Sequence, residues 1–153
     1  MKGDPLPNAD HILRYAGGST IDDRTVTGTA FLWSKAGPDD AGLSVNWMEK
    51  FEGTTEARVQ RVRDLARLTY GATAKLAQLN VARVKSHVAA EAPDTILDII
   101  EDPLPAKDAY PEDPSHAAIA NLPDKDTPAA ELIGDLIAEC VEAIYPARKS
   151  APG

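Results

Sequence analysis

One cysteine, Cys140, stands in the whole chain, so no intrachain disulfide can form and a reducing compartment is compatible with the sequence. The three histidines, His11, His87 and His116, are too widely spaced to read as zinc ligands, and no metal or cofactor is expected. Aromatic residues reach only 5%, which leaves the core to Leu, Ile, Val and Ala. No apolar run approaches the roughly 20 residues needed to span a bilayer. The opening residues Met1-Lys2-Gly3-Asp4-Pro5 lack an apolar secretory segment. The expectation is a soluble, cytoplasmic protein without a membrane partner. Gly17-Gly18-Ser19-Thr20 lacks the spacing and lysine of a phosphate loop, and Ser44 has no flanking Gly-x-Ser-x-Gly.

What is present suits one folded unit. A chain of 153 residues, 43% apolar and 26% charged, has the size and composition of a single domain over 1–153, with residues 1–9 and 146–153 expected as loose tails. The net charge of −8 is unevenly spread. Residues 57–91 hold 7 basic and 2 acidic side chains, whereas residues 92–153 hold 4 basic and 13 acidic. Nucleic-acid binding needs a cationic surface, so it is disfavoured for the chain as a whole.

The pattern along the chain predicts an α+β domain: a small, mostly antiparallel sheet with two to three helices, including an amphipathic C-terminal helix. Residues 25–33 are rich in β-branched and aromatic side chains, and Leu43, Val45 and Trp47 alternate with Ser44 and Asn46. With the turn-rich residues 35–40 between them, the two stretches predict an antiparallel hairpin. Thr54 or Thr55 caps a helix expected to run to about Tyr70 and to stop at Gly71. Residues 74–81 fit either strand or helix, while Val81, Val84 and Val88 suit a helix ending before Pro93. Residues 95–100 and 116–122 are short apolar stretches expected as strands, and the prolines between 103 and 128 imply loop. Thr127-Pro128 opens the last helix, expected to reach Ile144. Leu132, Ile133, Leu136, Ile137, Cys140, Val141 and Ile144 share its apolar face. Glu131, Asp135, Glu139 and Glu142 cluster opposite, a candidate surface for a basic protein partner.

The candidate site residues come from both halves of the chain. His11 precedes Arg14 by three positions, pairing a group that titrates near neutrality with one that forks onto phosphate or carboxylate. His116, in Asp113-Pro114-Ser115-His116, is the second candidate acid/base, while Asp113 or Ser115 capping a turn is the plainer explanation of that cluster. Ser44 and Asn46 offer a hydroxyl and an amide from one strand face, as ligand contacts or simply the wet face of a half-buried strand.

His11-x-x-Arg14, Ala30-Phe31, Leu43-Ser44-Val45 and Ser115-His116-Ala117 together resemble a loose group of small bacterial proteins with no established activity. The resemblance implies a shared site for His11, Arg14, Ser44 and His116, and neither a reaction nor a cofactor. Two functions follow as expectations. One is a polar pocket for a phosphorylated or otherwise anionic ligand, with Arg14 as clamp and His11 or His116 able to move protons. The other is a non-enzymatic accessory or inhibitory protein that docks a basic partner on its acidic helix.

Overall fold

The computed structural model describes residues 1–148. Its centre is a six-stranded antiparallel sheet, ordered β6-β7-β4-β1-β5-β8. The strands are β1 (His11–Ala16), β4 (Leu43–Trp47), β5 (Lys75–Asn80), β6 (Asp98–Glu101), β7 (His116–Ala120) and β8 (Ala143–Pro146). A separate two-stranded ribbon pairs β2 (Ile21–Asp22) with β3 (Thr25–Val26). Three helices complete the α+β fold: α1 (Thr55–Leu65), α2 (Val81–Glu91) and α3 (Pro128–Ala138). Each helix opens on a side-chain cap, where Thr54, Asn80 and Thr127 accept from the N–H groups of Ala57, Arg83 and Ala130. None of the helices described is long and apolar enough to cross a membrane.

Alternation along the strands gives the sheet two different faces. One carries Ile12, Val45, Leu79, Ile99 and Ile119 against α2, α3 and a 3-10 turn at Gly28–Phe31. The other carries Leu13 and Leu76 against Val59 and Val62 of α1.

The structure departs from the sequence expectations in five respects. Residues 25–33 do not pair with β4. Asp23 and Arg24, both with positive φ, close a two-residue turn joining β2 to β3, and the chain then coils into the 3-10 turn. β4 pairs instead with β1 and β7, which are distant in sequence. Helix α1 stops at Leu65, one turn short of Tyr70.

The last helix also ends early. The chain turns after Ala138, Glu142 N–H donates to Gln78 O, and Ala143–Pro146 pairs with β5. Strand β5 would otherwise leave a row of backbone groups unpaired, and Ile144 and Tyr145 suit a strand as well as a helix. Leu132, expected on the apolar face, is 52% exposed.

The first residues are not loose. Leu6 is buried, Gly3 and Leu6 N–H donate to Glu101 and Ile99 carbonyls, and Glu101 N–H returns a bond to Asp4 O. This arm covers the outer edge of β6, one way a sheet protects an open edge. At the other end Ala147 is buried, while residues 149–153 of the expected C-terminal tail lie outside the described residues.

Candidate functional site

A cavity of about 230 Å³ lies on the α1 face of the sheet, beyond the end of that helix. Its floor comes from four adjacent strands: Leu13 and Tyr15 of β1, Leu76 of β5, Ser44 and Asn46 of β4, and His116 of β7. The register explains the convergence, because Asn46 lies opposite both Leu13 and His116. Residues 65–70 wall one side, and Leu104 and Asp113 close the other.

Arg14 enters where β1 and β4 separate. The two strands pair only at Ile12 with Trp47 and Leu13 with Asn46. Past that point Arg14 supplies the link, with Nε donating to Ala30 O at 2.8 Å and Nη1 to Ser44 O at 2.9 Å. Burial lowers its pKa from the usual arginine range to about 10. Among the described residues, no carboxylate comes within 4.0 Å of this guanidinium.

Asp113 is 4% exposed and anchors a hydrogen-bond network. Its Oδ1 accepts from the N–H and Oγ–H of Ser115, and its Oδ2 accepts from Asn46 Nδ2, which also donates to Ser115 Oγ. The turn-capping reading of this cluster is therefore realised, but in a buried setting. No Lys, Arg or His nitrogen among the described residues lies within 4.0 Å of the carboxylate.

His116 Nδ1 lies 2.7 Å from Asp102 O and 3.3 Å from Asp102 Oδ2. A carbonyl can only accept, so Nδ1 carries a proton.

The apolar part of the lining comprises Leu65, Leu68, Leu104 and the ring of Tyr70, which stacks on Tyr15 with centroids 4.7 Å apart. Burial, aided by the neighbouring Tyr15 and then by Asp113, raises the Tyr70 phenol to about 12. Arg67 holds the outer wall, with Nη2 donating to the carbonyls of Pro105 and Pro111 and the guanidinium over the Tyr110 ring. Its Nε is buried without a partner.

Of the residues singled out from sequence, Arg14, Ser44, Asn46 and His116 line this one cavity. His11 does not. Its Nδ1 sits 2.6 Å from Glu49 and its Nε2 3.5 Å from Glu142. All four acidic candidates are exposed, but only Glu131, Asp135 and the C-cap residue Glu139 follow α3, whereas Glu142 lies past its end. Glu139 pairs with His87 at 2.6 Å, and Glu142 accepts from Gln78.

Sequence alone gives no site role to Tyr15, Arg67 or Tyr70, and gives Asp113 only a turn-capping one. The signal within reach was compositional: Tyr15 and Tyr70 are two of only four tyrosines, each next to a glycine or a small residue. Among the described residues, no three His, Cys, Asp or Glu side chains are grouped to hold a metal ion. Comparison with family models, curated proteins and solved structures finds no match for this chain.

Proposed function

We propose that the protein binds a small molecule with an anionic group and an apolar body, with Arg14 as the anion clamp. The observation that carries this reading is the state of Arg14: a half-buried guanidinium, bonded only to carbonyls, beside a cavity. Two carbonyl dipoles satisfy hydrogen bonds but leave the positive charge uncompensated, and a buried charge is costly unless paired. A carboxylate or phosphate would supply that pairing through a charge-assisted bond. The volume is below the roughly 300–1,000 Å³ of drug-sized sites, which limits the ligand to a small one. Leu65, Leu68, Leu104 and Tyr70 would take its apolar part.

Titration calorimetry with 3-phenylpropanoate and phenyl phosphate tests this reading. Wild-type protein should bind at least one of the two at about 1 mM or tighter, and Arg14→Gln should weaken that binding more than about tenfold. Failure of both probes to bind, or equal binding by the variant, removes the proposal. Arg14→Gln will also lower the melting temperature, because Ala30 and Ser44 lose their donor, so binding is measured well below its transition.

A further inference from the structure

We infer that the preferred ligand is a zwitterion of the α-amino-acid class, with its ammonium group held at the Asp113 side of the same cavity. This rests on the anion-binding reading of Arg14 and adds the second pole.

The argument begins with a mismatch. The cavity is lined by a buried carboxylate, Asp113, with no cation in contact and by a half-buried cation, Arg14, with no carboxylate in contact. Had these two charges been partners within the fold, they would lie in contact, since a buried pair gains from approach and each lone charge loses from burial. Instead they share the lining of one space without meeting within 4.0 Å. A dipolar ligand would complete both ends at once.

Two further polar groups agree with this polarity, while Arg67 on the outer wall adds a second donor group. Asn46 spends its Nδ2 on Asp113 and Ser115, which leaves Oδ1 as the free end of the amide. His116 commits Nδ1 to Asp102 O, which leaves Nε2 to accept when the ring is neutral. Asp113, Asn46 Oδ1 and His116 Nε2 are therefore acceptors, and an ammonium offers three donors and no acceptor. A purely anionic ligand would use Arg14 and leave these acceptors facing a group that cannot bond them. The leucines and Tyr70 then fit an apolar side chain.

Calorimetry on the full chain with four probes separates the possibilities: L-phenylalanine, L-phenyllactate, 3-phenylpropanoate and phenethylamine. L-leucine and 4-methylpentanoate repeat the comparison for an aliphatic side chain. In at least one series the amino acid should bind about tenfold or more tightly than its deaminated acid. Phenyllactate, which replaces the ammonium by a neutral hydroxyl, should behave like the deaminated acid. Asp113→Asn should erase the advantage of the amino acid while leaving the deaminated acid within about twofold. If the acids bind as tightly as the amino acids in both series, the zwitterion proposal falls and the anion clamp stands. If phenyllactate matches phenylalanine, charge at the second pole is not recognised and the proposal also falls. If no probe binds, both readings fail. Should Asp113→Asn not fold, the probe series on wild-type protein decides alone.

Discussion

The two faces of the sheet are built from the same strands and end differently. On the α2/α3 face, Ile12, Val45, Leu79, Ile99 and Ile119 meet Val84, Val88, Ile133 and Ile137 in one continuous apolar layer. On the α1 face the apolar cluster is small, with Leu13, Val59, Val62 and Leu76 at its centre. Beyond the end of α1 the strands present Ser44, Asn46 and His116, with a loop rather than a helix over them. Strand alternation allows one face to be optimised for packing while the other keeps polar groups at fixed spacing. The cavity exists where helix coverage runs out.

The largest expected effect comes from the same substitution on each face. Leu136, against the closed face, and Leu65, beside the cavity, are similarly buried at 6% and 7% exposure. Leu136→Ala should cost about 3–5 kcal/mol, because its surroundings cannot collapse to fill the void. Leu65→Ala opens into space that water reaches, so its cost should be about half as large. Urea melts of both variants check this, and equal losses would mean that the two faces are packed alike.

Next in size is overpacking on the closed face. The 3-10 turn meets α3 through two glycines, and a Cβ added at Gly134 would come within 2.6 Å of Gly28 O. That atom belongs to the backbone, so α3 or the turn must move. Gly134→Ala should destabilise by about 1–3 kcal/mol despite the better helix propensity of alanine. A gain in melting temperature would show that the contact is loose.

These contrasts also mark what the sequence made legible. The alternation of Leu43 to Trp47, the caps at Thr54 and Thr127, and the apolar spacing of Val81, Val84 and Val88 are local signals, and local structure followed them. Strand pairing is not local: nothing near β4 names β1 and β7 as its neighbours. The end of α3 was misread because Cys140, Val141 and Ile144 continue a helical period, while the open edge of β5 decides the outcome. Arg14, Ser44, Asn46 and His116 were found by their chemistry. Tyr15 and Tyr70 gained no site role, and Asp113 no more than a cap, because burial and stacking are properties of the assembled fold.

Cys140 tests the closed face by kinetics rather than equilibrium. It is 1% exposed, its Sγ lies against the carbonyls of Leu136 and Arg83, and burial raises its pKa. The thiolate is the reactive form, so a thiol reagent should label native protein slowly and denatured protein quickly. Similar rates in both states would place the thiol in solvent and the α2/α3 face ajar.

The smallest effect tests the cavity side and appears only at high pH. The Tyr70 phenol is raised from 10.0 to about 12, chiefly by burial. Between these values the unfolded chain releases its proton while the folded chain retains it, so stability falls as pH rises from about 10 towards 12. The full displacement corresponds to about 2.7 kcal/mol, and partial solvent access reduces it to about 1 kcal/mol. Arg14 acts in the opposite direction over the same range. Its pKa is lowered to about 10 by burial, so the folded state gives up its proton first and stability rises with pH above about 10. Melts of the wild type alone would mix the two trends. Comparison with Tyr70→Phe separates them, since that variant removes one phenol and keeps the ring that stacks on Tyr15. The wild type should lose about 1 kcal/mol more than Tyr70→Phe between pH 9 and pH 11.5. Parallel curves would place the Tyr70 hydroxyl in water, and the aromatic wall of the cavity would then be open rather than buried.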